Sequence, residues 1–92
     1  MEIKQEHNDH KGAFFIEKEG KRVGEMTYTM AGTERMIIDH TEVGEELRGT
    51  GAGKRLVYAG VEYSRENGIK VIPLCPFAKA IIDKTPELQD VL

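Results

Sequence analysis

The sequence predicts an α+β fold, with a mixed and mostly antiparallel sheet and two to three helices in the order β-β-β-α-β-α. Three observations support this fold class. Strand-like runs joined by short glycine turns fill the first half, apolar residues then recur at helical spacing, and a compact apolar run precedes Pro76. With 92 residues, the chain is expected to form one domain, residues 1–92, with a modest core.

The first strands are expected after a polar lead-in that leaves room for a short edge strand near Ile3. The run AFFIEK at 13–18 predicts the first full strand. A turn follows, in which Gly20 can adopt a positive φ. The run RVGEMTYTM at 22–30 predicts the second strand, and its alternation slips near Gly24, which indicates a bulge.

The third strand is predicted over 34–43, ERMIIDHTEV, because β-branched and apolar residues occupy its centre. The short turn AGT before it indicates an antiparallel meander. Side chains alternate along a strand. Alternation would place Met36, Ile38, His40 and Glu42 on one face, and Ile37, Asp39, Thr41 and Val43 on the other.

A long helix is predicted from Gly51 to Asn67, where an apolar stripe recurs at helical spacing, and Gly68 follows as a C-terminal stop. The run IKVIPLC at 69–75 predicts the last strand. Because a helix connects them, the strands at 34–43 and 69–75 are expected to lie parallel.

Two shorter helices are predicted near the C-terminus. After Pro76, the run FAKAIIDK places apolar residues on one face of a helix. Thr85 and Pro86 form an N-cap and first-turn pair for a last short helix, PELQDVL.

Composition excludes several classes of protein. The net charge of −3 and the absence of a basic stripe argue against nucleic-acid binding. The apolar runs are too short to span a bilayer, the N-terminal segment is not a secretory signal, and a single cysteine fits a reducing compartment. We therefore expect a cytoplasmic protein without membrane or nucleic-acid partners. Its histidines and cysteine show no metal-ligand spacing.

The stretch LRGTGAGKRL at 47–56 has the composition of a phosphate loop, since three glycines lie beside cations. A Walker A loop would need glycine at Arg48 and a hydroxyl residue at Arg55. A dinucleotide fingerprint would need glycine at Lys54. The spacing that remains is R-x-x-G-x-G, formed by Arg48, Gly51 and Gly53. It opens a helix, where backbone amides and the helix dipole can bind an anion.

The longer stretch VGEELRGTGAGKRLV resembles the acetyl-CoA-binding signature of the GNAT N-acetyltransferase superfamily, in which a strand ending in valine precedes [RQ]-x-x-G-x-[GA]. The order of elements also resembles the GNAT core, over roughly residues 13–85. Together with the small size, the stretches IDHTEV and CPFAK resemble the short, single-domain GNAT-like subgroup. The resemblance therefore implies a minimal GNAT-like, acyl-CoA N-acyltransferase fold.

The resemblance further implies that acetyl-CoA or coenzyme A lies between the strands at 34–43 and 69–75. Val43 would offer backbone hydrogen bonds to the pantetheine arm. Backbone amides would face the diphosphate at Arg48, Gly49, Gly51, Ala52, Gly53 and Lys54.

Acyl transfer also needs groups that move protons. GNAT enzymes typically place a general-acid tyrosine after the fifth strand, but no tyrosine follows Tyr63 here. Cys75 lies at a strand end beside a helix N-terminus, a position that lowers the pKa of a thiol. It is a candidate either to take the acetyl group or to protonate the leaving thiolate. The alternative is that Cys75 is a small buried core residue.

His40 is the candidate general base, since imidazole titrates near neutral pH. It is also a candidate to activate Cys75. The alternative for His40 is a packed or hydrogen-bonded structural role, and Asp39 and Glu42 are rival bases.

The function expected is acetyl-CoA-dependent transfer of an acetyl group to an amine, on a small molecule, protein or peptide. The alternative function is a CoA- or acyl-CoA-binding module with little or no catalysis. The oligomeric state and the acceptor are not readable from the sequence.

Overall fold

The computed structural model describes residues 1–92 and contains one five-stranded sheet. The strands are β1 (Lys4–Asn8), β2 (Lys11–Lys18), β3 (Lys21–Ala31), β4 (Arg35–Val43) and β5 (Lys70–Pro73). The helices are α1 (Ala52–Glu66) and α2 (Pro76–Lys84), and 3₁₀ helices cover Glu45–Leu47 and Pro86–Val91. Strands β1 to β4 pair antiparallel in chain order, and β5 pairs with β4 in parallel. The mixed, mostly antiparallel sheet and the parallel pair are confirmed.

Strand β1 adds a fourth strand before the first helix, where the predicted order has three. It begins one residue after Ile3, near which a short edge strand was predicted. All five of its residues, KQEHN, are exposed. Neither of its faces is apolar, so it carries no alternating pattern, and its backbone pairing with β2 is what defines it as a strand.

The core lies between one face of the sheet and the two α-helices. Leu56, Val57 and Val61 of α1 are fully buried against Met36 and Ile38 of β4. Burying one such side chain stabilises the fold by about 1.5–3 kcal/mol. Since α1 and α2 pack against each other as well as against β4 and β5, both helices share this face. We call it the covered face, and the opposite face, which carries no helix, the open face.

Two bulges interrupt the sheet, and the first confirms the slip predicted near Gly24. Pairing steps from Ile16 opposite Gly24 to Glu17 opposite Arg22, so Val23 is the extra residue of β3. The bulge lets Val23 and Gly24 both be buried, and strict alternation would expose one of them.

The second bulge lies in β4 and was not predicted. Thr27 pairs with His40 but Tyr28 pairs with Ile38, so Asp39 has no partner on β3. One extra residue moves every later side chain to the other face. The prediction that His40 shares a face with Met36 and Ile38 is therefore wrong. His40 and Glu42 lie on the open face, and Thr41 and Val43 lie on the covered face.

The last five residues of β4 extend beyond β5. Pairing between the two strands ends at Ile38 opposite Pro73, and the amides of Leu74 and Cys75 both donate to the Ile38 carbonyl, at 3.2 and 3.0 Å. The chain then turns into α2, which begins at Pro76. The sheet consequently opens between Asp39–Val43 and the segment after β5, and we call this opening the β4–β5 gap.

No helix of the protein combines the length and apolar composition that crossing a bilayer requires.

Candidate active site

The glycine-rich loop between β4 and α1 is held in shape by its own backbone. Leu47, the buried end of the first 3₁₀ helix, accepts hydrogen bonds from the amide of Thr50 at 3.2 Å and from its hydroxyl at 2.5 Å. Gly49 and Gly51 on either side adopt φ values of 81° and 78°. A left-handed conformation costs other residues roughly 1–2 kcal/mol, so this path requires glycine at both positions.

Several amides of this loop find no acceptor within the chain. They belong to Gly49, Gly51, Ala52, Gly53 and Lys54. The N-cap of α1 is Gly51, so no side chain caps the helix. The Arg48 amide differs from these, because it donates to the Glu45 carbonyl at 3.0 Å. Uncapped amides at the positive end of a helix dipole form a ready site for an anionic group.

This amide cluster lies beside the β4–β5 gap. A Cβ added to Gly53 would lie 2.6 Å from Cζ of Phe77 and 3.5 Å from Cγ2 of Val43. The loop, the end of β4 and the start of α2 therefore meet at Gly53. Phe77 was not among the predicted site residues, and it is 44% exposed. The signal available was its position directly after Pro76, at the first turn of α2.

The side chains of the loop cations extend into solvent. Arg48, Lys54 and Arg55 are all exposed, and the Lys54 ammonium lies 5.7 Å from the ring centroid of Tyr58. Their charges add to the positive field of the helix end. The structure thus places Gly53, near the start of α1, against the side chain of Val43 at the end of β4.

Cys75 lies on the covered face, at the closed end of the gap. It is the N-cap residue of α2 and is 5% exposed. Its Sγ lies 3.5 Å from Oγ1 of Thr41. Burial raises the pKa of this thiol, but the Thr41 hydroxyl and the nearby backbone amides of Ala78, Phe77 and Thr41 outweigh burial and lower the pKa below its usual value. The predicted effect of the helix N-terminus thus agrees with the structure in its direction.

Thr41 is the neighbour of Cys75 that sequence reasoning missed. Regular alternation placed Thr41 on the other face of the sheet from His40, but gave no reason to pair it with a cysteine 34 residues away. The sequence pattern did not predict the bulge at Asp39, which turns Thr41 towards the helices.

His40 lies on the open face and is exposed. It is paired with Thr27, and its neighbour Asp39 accepts a hydrogen bond from the Thr29 hydroxyl at 2.7 Å. The structure does not bring His40 and Cys75 together, since their side chains project from opposite faces of the sheet. The rival bases Asp39 and Glu42 border His40 along the same strand.

Solved N-acetyltransferases share this fold. A ribosomal-protein-alanine N-acetyltransferase from Brucella melitensis matches with a TM-score of 0.68 at 18% identity, over 85% of this chain and 62% of that one. A GNAT acetyltransferase from Elizabethkingia anophelis, solved with acetyl-CoA bound, matches with a TM-score of 0.59 at 14% identity, over 71% of this chain and 43% of that one. This chain thus spans less than two thirds of either enzyme.

The family follows from two closer matches. Residues 13–91 match the family model described as GCN5-related N-acetyl-transferase. A GCN5-like protein from Staphylococcus aureus, solved by NMR, is 43% identical, with a TM-score of 0.76 over 98% of this chain and 85% of that one. The chain therefore belongs to the GCN5-related N-acetyltransferase (GNAT) family. A comparison with curated protein sequences gave no match.

Proposed function

We propose that the protein is an acetyl-CoA-dependent N-acetyltransferase that moves an acetyl group to an amine. The observation that carries this proposal is the cluster of acceptor-free amides from Gly49 to Lys54, beside a gap in the sheet. Leaving several amides unsatisfied at a helix end is unfavourable unless a ligand or water completes them. A diphosphate matches these donors in charge.

The residues around the gap fit coenzyme A. The amides of Gly49, Gly51, Ala52, Gly53 and Lys54 would hold the diphosphate, and the exposed Arg48 would add charge through its side chain. At the end of β4, the Gly44 amide donates to the Val23 carbonyl of β3 at 2.7 Å. Because backbone groups alternate in direction along a strand, those of Val43 turn towards the gap. They are therefore available to the pantetheine arm.

Acetyl-CoA would supply an acetyl thioester, and the chain would supply the proton transfers. In this proposal His40 accepts a proton from the amine, which approaches from the open face. Cys75, on the covered face, gives a proton to the leaving thiolate or takes the acetyl group itself. Because β4 is unpaired on its β5 side beyond Ile38, we place the reacting centre at this unpaired edge, between His40 on one face and Cys75 on the other.

A second function, binding of CoA or acyl-CoA with little or no catalysis, is favoured by a different observation. No tyrosine follows Tyr63, so a phenolic general acid on α2 is absent. This alternative retains the amide cluster and the gap, and needs no chemistry from His40 or Cys75.

Two measurements test the proposal. Calorimetry with CoA is expected to show binding at one site per chain. Incubation with labelled acetyl-CoA and a panel of small amines and lysine peptides is expected to show transfer, and intact-mass analysis would reveal an acetyl group on Cys75. Binding without transfer to any acceptor would support the binding module, and no binding would contradict both functions.

A further inference from the structure

The gap contains a contact between two side chains from different elements, which no other part of the proposed mechanism explains. Thr41 comes from the unpaired end of β4, and Cys75 from the turn that leads into α2. Their Oγ1 and Sγ atoms lie 3.5 Å apart, and hydrogen bonds to sulfur are long. The contact depends on the bulge at Asp39, because regular alternation would turn Thr41 to the open face.

The polar groups that lower the pKa of the sulfur are neutral. From β4 it faces the hydroxyl and the amide of Thr41, and from α2 it faces the amides of Phe77 and Ala78. Amides can only donate. The hydroxyl of Thr41 can also accept, so among these four groups it alone can receive the S–H of the protonated thiol. The same hydroxyl can rotate and donate when the sulfur is a thiolate.

We propose that Thr41 is the positioning residue of Cys75: its hydroxyl holds the sulfur at the β4–β5 gap in both protonation states. The thiol form is oriented by donating to Thr41, and the thiolate form accepts a stronger, charge-assisted hydrogen bond from it. The consequence for acetyl transfer rests on the proposed function. The interaction itself does not, because it is formed by the chain alone.

The test is the pH dependence of the reaction of Cys75 with iodoacetamide, followed by intact mass in the absence of CoA. The thiolate is the reacting species, so the rate reports the thiolate fraction. Thr41→Val keeps the shape of the side chain and removes the hydroxyl. We expect its titration midpoint to rise by about half a pH unit or more, which corresponds to about threefold slower alkylation below the midpoint. Thr41→Ser restores the hydroxyl and is expected to titrate like the wild type.

Thr27→Val is the matched control, since it removes a threonine hydroxyl from the same sheet on the open face. It is expected to leave the titration of Cys75 unchanged. Thermal unfolding of all variants shows whether each is folded, and if Thr41→Val is not, Thr41→Ala serves for the same comparison. Identical midpoints in the wild type and the hydroxyl-free variant would overturn the proposal. That result is distinct from a failure of the proposed function, which would be an absence of CoA binding or of transfer.

Discussion

The two faces of β4 present different chemistry although they share one strand. On the covered face, Thr41 and Val43 meet Cys75 and the loop before α1, among buried side chains and free amides. On the open face, His40 and Glu42 project into solvent. A few neutral hydrogen bonds can shift the pKa of a buried thiol. An exposed base is more directly available to an acceptor from outside.

A single extra residue, Asp39, decides which side chains of β4 lie on which face. Without the unpaired Asp39, His40 would point into the covered face and Thr41 out of it. The bulge therefore decides which side chain faces the thiol. It also directly follows Ile38, the last residue of β4 that pairs with β5, so the change of face and the opening of the sheet occur together.

The largest expected effect comes from the covered face. If Cys75 gives a proton to the leaving thiolate or takes the acetyl group, Cys75→Ala should lower the rate of transfer by about a thousandfold. That loss lies within the usual range for removal of an acid–base group. Its affinity for CoA should stay nearly unchanged, because the diphosphate would be held by the loop. Steady-state rates and calorimetry measure the two effects.

Cys75→Ser separates the two roles of the sulfur. A hydroxyl can still donate a proton, so partial activity would favour the general-acid role, and full loss would favour a thioester on Cys75. Wild-type rates in Cys75→Ala would remove Cys75 from the mechanism and leave it a core residue.

The next expected effect comes from the open face. His40→Ala should lower transfer by about a hundredfold if the imidazole accepts the proton of the amine. Because His40 lies on the other face of the sheet, the alkylation profile of Cys75 should not change. His10→Ala, in the turn between β1 and β2, is the control for a histidine far from the gap. An unchanged rate in His40→Ala would contradict its role as the general base and would favour Asp39 or Glu42 in that role.

Much of the fold could be predicted, because its signals are local. The stripe on α1 and the glycine after it predicted the helix to within one residue at each end. Gly20 and Gly68 mark the turns expected of them, with φ values of 79° and 65°. Such features depend on residues close in sequence.

What could not be predicted depends on long-range pairing. Strand β1 is polar on both faces, so only its partner β2 defines it. The bulge at Asp39 carries no glycine and no break in the sequence pattern, and it is visible only from the register with β3. For the site, the glycine loop was found from its spacing. The contact of Thr41 with Cys75 required the register and the path of the chain after β5.

A smaller effect is expected in the loop that borders the covered face. Gly51→Ala should weaken CoA binding about tenfold, a loss of about 1.4 kcal/mol, since a Cβ would stand between the amides and the diphosphate. It should also lower stability, because φ at Gly51 is 78°. Gly32→Ala is the matched control: φ there is 72° in a turn away from the gap, and both positions have free space for a Cβ. Equal CoA affinity in the two variants would contradict the proposed role of the loop.

The smallest expected effect concerns stability and comes from the open face. Glu25 and Glu42 are directly opposite each other on β3 and β4, and like charges at such positions destabilise a sheet by roughly 0.2–1 kcal/mol. Glu42 has no ion pair, and Glu25 has only a 3.5 Å contact with Arg22. Glu42→Gln should therefore raise the free energy of unfolding by about 0.5 kcal/mol, which for a domain of this size corresponds to a rise in Tm of about 2–4 °C. The gain should shrink with added salt, because screening already weakens the repulsion between exposed charges.

The control is Glu34→Gln, in the turn before β4. It removes the same charge without an acid opposite and should change Tm less. Equal shifts in Tm for both variants would mean that the gain reflects net charge alone. The repulsion between Glu25 and Glu42 would then not destabilise the fold.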